Sequence, residues 1–181
     1  MKHIVHLKNV HSGDPTWSSD GTEIAFVVAD EIHWASHQIR FINLETHKQE
    51  TLLQNDFPRM FYPAWSPTDN RFAFVWFRPR KKQQSVYIIN RDGSYFSRIN
   101  SLIANAPAWG PSGDELIYTE GVVGSDSQIF KINLKNHQRT QLTDDGSNHS
   151  GNWFDPKQLS LSPAAQLVTT SWGKMKTETE H

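Results

Sequence analysis

The sequence predicts an all-β fold assembled from repeated four-stranded sheets, and three observations support this. Apolar residues make up only 36% of the 181 residues, yet aromatic residues make up 12%, with 7 Trp and 10 Phe. Aromatic and β-branched residues suit the pleated, half-buried surface of a sheet. A motif centred on tryptophan also recurs along the chain. Each copy is followed by apolar and polar residues that alternate with the period of a strand rather than that of a helix.

The repeated motif has three clear copies and a worn fourth. Successive motif tryptophans are separated by 48, 44 and 44 residues; they are Trp17, Trp65, Trp109 and Trp153. The copies begin near Asp14, Tyr62, Ala106 and Gly151. A period in the mid-forties is the size of one β-propeller blade.

Each clear copy leads into three further strands. A short apolar strand comes first, at Ile24–Val28, Phe72–Trp76 and Leu116–Thr119. An alternating strand follows after a polar loop, at Gln38–Leu44, Ser85–Asn90 and Gln128–Leu134. A short last strand closes the unit, at Gln49–Leu53, Ser97–Asn100 and Thr140–Thr143. Four antiparallel strands per period predict three full propeller blades plus partial ones.

The motif residues have structural roles that can be deduced from their chemistry. A proline two residues before the tryptophan withholds an N–H, which suits the start of the innermost strand of a blade. The Ser, Pro, Asp and Gly residues after the tryptophan favour a tight turn. The tryptophan is large enough to wedge between neighbouring blades. We therefore expect all four motif tryptophans to be buried structural residues.

The segments Trp17-Ser-Ser-Asp-Gly21, Trp65-Ser-Pro-Thr-Asp69 and Trp109-Gly-Pro-Ser-Gly113 resemble the Trp-Ser-Pro-Asp-Gly blade motif of TolB-like propellers, which are related to WD-repeat propellers. The same motif occurs in the propellers of prolyl-oligopeptidase-like peptidases. The resemblance covers about residues 10–156 and departs from the pattern at Ser19, Asn70 and Gly110. It implies a six-bladed ring built around protein–protein contacts.

The repeats predict propeller blades over residues 1–158, with a leading strand at Ile4–Leu7, and a C-terminal tail over 159–181 that ends in a frayed segment. Three full blades would leave strand edges and terminal faces open. Two copies could close a six-bladed ring as a homodimer, which is the favoured arrangement. Alternatively, an extra strand at Ala165–Trp172 could complete a four-bladed ring, or the chain could be a shortened piece of a longer propeller.

Charge and hydropathy exclude several classes of partner. The formal net charge is −1, so no global field draws the chain to nucleic acid or to an anionic membrane. No apolar run approaches the roughly 20 residues that span a bilayer. The N-terminus lacks the apolar core of a signal peptide. The sequence by itself therefore leaves the compartment unknown, with the cytoplasm as the default, although members of the resembled family are often periplasmic.

The only dense basic run, Arg78-Pro-Arg-Lys-Lys82, falls in the hairpin between the second and third strands of one blade. Variable loops on a fixed scaffold commonly carry binding residues. We therefore expect Arg78, Arg80, Lys81 and Lys82 to contact a protein or peptide partner, with His33 and Trp34 in the corresponding loop of the first blade. Nucleic acid is disfavoured because stacking aromatics are lacking; alternation should bury either Trp76 or Phe77.

The sequence supports neither a cofactor, a metal site nor an active site. Glu31, His33 and His37 fall in a predicted loop, and the oxygen-rich run at 144–148 is explained by turns. The run at 121–125 lacks the pattern of a nucleophile elbow. We therefore predict a non-enzymatic protein-binding scaffold. The alternatives are a propeller hydrolase or lyase, the accessory propeller of a peptidase, or a truncated fragment without activity.

Overall fold

The computed structural model describes residues 10–30, 36–53, 59–100, 103–121, 126–149 and 151–153. These residues form three four-stranded antiparallel sheets, which confirms the predicted all-β, propeller-like fold. Within them the only helical element is a 3-10 turn at Pro79–Lys81. The described residues therefore include no helix that is long and apolar enough to cross a membrane.

Each sheet is a meander in which strands adjacent in sequence are paired. The first sheet comprises β1 (Val10–Trp17), β2 (Glu23–Asp30), β3 (His37–Asn43) and β4 (Gln49–Thr51). The second comprises β5 (Met60–Trp65), β6 (Arg71–Arg78), β7 (Gln83–Asn90) and β8 (Ser97–Arg98). The third comprises β9 (Ala104–Trp109), β10 (Glu115–Glu120), β11 (Gln128–Asn133) and β12 (Arg139–Gln141). Strands β1, β5 and β9 lie side by side along the inner edge.

The motif prolines lie inside the inner strands, not at their starts as we predicted. The register of β1 against β2 shifts between Gly13 and Thr16, and β5 and β9 shift at the equivalent point. Such a bulge leaves a residue outside the ladder, so Pro can occupy it without losing a ladder hydrogen bond. Pro15, Pro63 and Pro107 occupy these bulges.

Alternation along the strands supplies one apolar layer between each pair of sheets. Between the first and second sheets, Ile39 and Phe41 pack with Phe72 and Phe74, all at most 1% exposed. On the other face of the second sheet, Val75 belongs to a cluster with residues of the third sheet, including Leu116 and Tyr118. Each such buried side chain contributes about 1.5–3 kcal/mol. The second sheet therefore uses both faces to hold the arc together.

The motif tryptophans pack between two sheets, as predicted, only where the structure describes a preceding sheet. Trp65 and Trp109 are each 7% exposed, at the two interfaces between sheets. Trp17 is 58% exposed, which contradicts the prediction that all four are buried. The face of the first sheet that carries Trp17 points away from the second sheet, so no described blade covers it. Trp153 is half-buried.

The position of Trp153 bears on the predicted homodimer. Its ring lies so close to Gly110 that a Cβ there would be 3.5 Å from the Trp153 Cε3 atom. The Lys131 ammonium lies 5.6 Å from the ring centroid, on the outer face of the third sheet. In a closed ring of two copies, Trp17 of the second copy would have to occupy the position that Trp153 occupies here. The structure therefore does not support that ring.

The predicted leading strand at Ile4–Leu7 and the predicted extra strand at Ala165–Trp172 lie outside the described residues. The boundary between blades and tail near residue 158 lies outside them as well. These assignments therefore stay predictions.

Candidate functional site: the inner cleft

The inner edge of the arc carries an open cleft of about 310 Å³. Residues that lie one to three positions before each motif tryptophan line it: Asp14 and Pro15, Tyr62 and Pro63, Ala106 to Ala108, and Gly151 and Asn152. We call this feature the inner cleft. It is built by the repeat itself, because every copy contributes residues that precede its tryptophan, and in the first three copies these include the proline at the bulge and the residue before it.

The bulges determine which side chains face the inner cleft. The residue before each motif proline has a positive φ: 50° at Asp14, 51° at Tyr62 and 45° at Ala106. This left-handed conformation is uncommon outside glycine, and bulges of this kind re-aim side chains near functional sites. As a result the Tyr62 side chain is 44% exposed although its neighbours in β5 are largely buried.

The described lining of the inner cleft is built mostly from apolar and rigid residues and contains few ionisable groups. Its wall combines an aromatic ring with three prolines, which are rigid and apolar. Because β1, β5 and β9 are terminal strands in their sheets, their inner edges also present backbone groups that the ladders do not use. Asp14 is the only ionisable carboxylate among the described residues that line the cleft, and no His, Lys or Arg accompanies it.

The structure separates the four residues of the predicted basic contact. The Arg78 guanidinium lies 5.1 Å from the ring centroids of both Trp76 and Tyr87. Its Nε atom is buried without a hydrogen-bond partner. Arg78 is thus a packing residue at the end of β6. By contrast, the remaining three side chains are exposed around the 3-10 turn: Arg80, Lys81 and Lys82.

Trp76 and Phe77 are both half-buried, so the expectation that alternation would bury one of them is wrong. Arginine side chains cover both rings, since Arg78 lies over Trp76 and Arg59 lies 5.5 Å above Phe77. Cation–π contacts of this kind stabilise an arginine over an aromatic ring, so the arginines cover part of both rings.

The remaining sequence candidates do not form a site in the described residues. Glu31, His33 and Trp34 lie outside the described residues. His37 begins β3, where its ring packs 4.6 Å from that of Phe61. Burial and the nearby Arg59 charge lower the pKa of His37. No group of three His, Cys, Asp or Glu residues within the described ranges is arranged to hold a metal ion.

The motif copies begin at Asp14, Tyr62 and Ala106, but the sequence analysis did not predict that these residues form a site. The available signal was the Xaa-Pro-Xaa-Trp pattern in three copies. A repeated proline within an inner strand requires a bulge, and a bulge re-aims its neighbour. The variable residue before the proline is then the one that each of these blades presents to the inner cleft.

Comparison with known proteins places this geometry in context. The profile of the TolB beta propeller domain family matches residues 2–171. The Tol-Pal system protein TolB of Alcanivorax borkumensis is 28% identical over 100 residues, which are 54% of this chain and 23% of that protein. The chain therefore aligns with about a quarter of the length of this relative.

Solved structures show the same fold. A TolB crystal structure from Acinetobacter baumannii has a TM-score of 0.66 at 23% identity, covering 79% of this chain and 35% of that one. An oligogalacturonate lyase in complex with manganese has a TM-score of 0.61 at 18% identity, covering 76% and 43%. At these identities the likeness concerns the fold alone, because unrelated functions share such scaffolds.

Proposed function

Because the chain belongs to the TolB β-propeller domain family, we propose that it is a non-enzymatic scaffold that docks a segment of a partner protein in the inner cleft. One observation carries the proposal: all four motif copies place residues that precede their tryptophans around a single open cleft. A repeat that converges on one surface offers several equivalent contact points to one extended ligand.

The lining fits an extended peptide. Tyr62 supplies a large, partly exposed ring, and tyrosines of this kind often dominate the energy of protein interfaces. Pro15, Pro63 and Pro107 keep the wall rigid, so little conformational entropy is lost when a ligand binds. The prolines also lack an N–H, so the wall offers mainly carbonyl acceptors to the backbone of the ligand.

A protein of a Tol-Pal system is the partner that the comparisons favour. The curated relative is named as a component of that system. The family covers most of this chain, whereas the chain covers only part of the relative. We therefore choose Pal from the organism that encodes this chain as the first probe for the inner cleft.

The lining argues against an enzyme. General acid–base chemistry usually needs a pair of titratable groups with different roles, and metal-assisted chemistry needs a set of ligands. The described residues of the inner cleft provide only the Asp14 carboxylate and the Tyr62 hydroxyl. The fold of the oligogalacturonate lyase is shared, but no equivalent set of ligands is found in the described part of this chain.

The test uses two tyrosines with matched backbone geometry. Tyr62 lies in the inner cleft with φ 51°, and Tyr95 lies in the β7–β8 turn with φ 50°. Asn tolerates this left-handed conformation well, so Tyr62→Asn and Tyr95→Asn remove exposed rings without adding backbone strain. Binding of purified Pal to each variant is measured by isothermal titration calorimetry.

We expect Tyr62→Asn to weaken binding about 30-fold, which corresponds to the roughly 2 kcal/mol of an interface hot spot. Tyr95→Asn should bind as the unmodified chain does. Equal affinities for all three proteins would remove the inner cleft from the proposal. Failure of the unmodified chain to bind Pal would instead contradict the assignment of a Tol-Pal partner.

A further inference from the structure

A second open cavity, of about 410 Å³, lies at the end of the third sheet where β10 leads into β11, on the side of that sheet that faces the second. Its lining includes Ile103, Glu120, Asp126, Phe130 and Gln141. None of these residues lines the inner cleft. We call this feature the rim cavity.

The strand registers identify what fills the same place in the second sheet. Tyr118 pairs with Phe130 in the third sheet as Phe74 pairs with Tyr87 in the second. By the same counting, Glu120 corresponds to Trp76, since both lie two residues further along the strand.

A third pair of equivalent residues comes from the last strand of each sheet. Gln141 pairs with Phe130 as Arg98 pairs with Tyr87. The residue two places earlier is Arg139 in the third sheet and Phe96 in the second. The set Glu120, Phe130 and Arg139 therefore replaces Trp76, Tyr87 and Phe96.

This replacement explains why a cavity exists in one place and not in the other. In the second sheet the three rings fill the space with mutual contacts: Tyr87 and Phe96 stack at 5.0 Å, and Trp76 meets them at 5.7 and 5.8 Å. Of the three equivalent positions in the third sheet, only that of Phe130 is aromatic. A carboxylate and a guanidinium occupy less of the space than two aromatic rings, so the volume stays open.

The charges in and beside the rim cavity are unbalanced. The Glu120 side chain is only 7% exposed and accepts a hydrogen bond from Arg139 at 2.7 Å. The Arg139 guanidinium lies 3.7 Å from the Phe130 ring centroid. Asp126 is exposed and adds a second carboxylate to the lining. Among the described residues named here, two carboxylates thus accompany one guanidinium, a formal excess of one negative charge.

The rim cavity also combines the contacts that an arginine side chain needs. Ile103 is 40% exposed and offers an apolar surface for its methylene stem. Carboxylate oxygens and the Gln141 amide oxygen accept its fork of N–H donors. Arg139 already shows how this environment holds a guanidinium, over Phe130 and against Glu120.

We propose that the rim cavity binds an arginine side chain of a partner protein, with its guanidinium directed to Asp126 and Glu120 and its stem against Ile103. This site is separate from the inner cleft, so it gives the scaffold a second, charge-selective contact at the end of the third sheet. Lysine is a poorer fit because its point charge cannot form the forked hydrogen bonds or stack on a ring as arginine does.

The test titrates the isotopically labelled full chain with N-acetyl-arginine methylamide and follows backbone amide shifts by NMR. N-acetyl-citrulline methylamide is the control ligand, since it keeps the shape and loses the charge. Gln141→Lys is the main variant because Gln141 is exposed and its replacement puts a cation at the rim cavity. Asp126→Asn removes one carboxylate, and Glu45→Gln on the first sheet's turn is the matched surface control.

We expect saturable shifts at Gly121, Asp126 and Gln128, and affinity for the citrulline compound at least about ten-fold lower, or 1.4 kcal/mol. Gln141→Lys and Asp126→Asn should each weaken binding several-fold, and Glu45→Gln should not. Equal shifts with both ligands would overturn the proposal, as would binding that neither rim variant changes. Neither result would affect the Tyr62 test.

Discussion

The indole Nε1 of Trp109 donates a hydrogen bond of 2.9 Å to the Ala64 carbonyl oxygen of the neighbouring sheet. Ala64 directly follows Pro63, which lines the inner cleft. The wedge that joins the second and third sheets is therefore bonded to the strand that shapes the candidate site. The equivalent indole N–H of Trp65 is buried without a partner. Two tryptophans of equal burial thus differ by one hydrogen bond.

This difference predicts unequal costs for the same substitution. Trp109→Phe leaves the Ala64 carbonyl without its donor, whereas Trp65→Phe removes an N–H that had no partner. We expect Trp109→Phe to lower the free energy of unfolding by about 1–3 kcal/mol more than Trp65→Phe does. Urea denaturation of the two variants measures this difference. Equal losses would show that the bond to Ala64 contributes nothing to stability.

Two turn glycines provide a second matched pair. Gly21 and Gly113 both have φ 71°, but a Cβ at Gly21 would meet nothing, whereas one at Gly113 would overlap the Thr68 hydroxyl. Gly21→Ala should cost about 1–2 kcal/mol for the left-handed backbone alone. Gly113→Ala should cost more, because Thr68 on the second sheet must also move. The melting temperatures of the two variants check this order, and a smaller loss at Gly113 would contradict it.

The ion pair between Glu50 of the first sheet and Arg91 of the second predicts that stability depends on pH in the acidic range. Hydrogen bonds from Lys48 and Arg91 hold the pKa of Glu50 at about 2, against its ordinary value of 4.5. A lowered pKa in the folded state stabilises the protein above pH 4.5, and this contribution disappears as the pH falls toward 2. The stability difference between the unmodified chain and Glu50→Gln should therefore shrink over that range. Thermal unfolding at several pH values measures it, and a constant difference would contradict the contacts of Glu50 with Lys48 and Arg91.

Glu120 at the rim cavity predicts a dependence of stability on pH that has the opposite sign. Burial raises the pKa of Glu120 above its ordinary 4.5, and the attraction of Arg139 only partly opposes this. The folded state then binds the proton more tightly than the unfolded state. The contribution of this group is full below pH 4.5 and is lost as the pH rises through the raised pKa.

Glu120→Gln should remove that dependence. The free energy of unfolding of the variant, relative to the unmodified chain, is expected to rise between pH 4 and neutrality. Chemical denaturation at each pH provides the measurement, with Glu45→Gln as the surface control. A flat or falling difference would mean that Arg139 outweighs burial at this site.

The sequence predicted the sheets well because the repeat and strand alternation are local signals. The second, third and fourth strands of all three blades lie within two residues of the predicted bounds. The left-handed residues before the prolines were not predicted, since a residue before proline normally prefers extended backbone. Their conformation depends on the bulge, which pairing with the next strand creates.

Two other features depend on neighbours that no local pattern reveals. Trp17 fits the motif as well as Trp65 does, yet its burial depends on a preceding blade. The rim cavity depends on Glu120 and Arg139, which lie apart in sequence and meet only through the registers of three strands. A motif search finds the blade, whereas these sites depend on how blades differ at equivalent positions.

Hydrogen–deuterium exchange of the full chain, with and without saturating Pal, tests the proposed docking of a partner protein in the inner cleft. We expect slowed exchange in β1, β5 and β9, around Asp14, Tyr62 and Ala106. Protection confined to the outer strands β4, β8 and β12, with the inner strands unchanged, would contradict it.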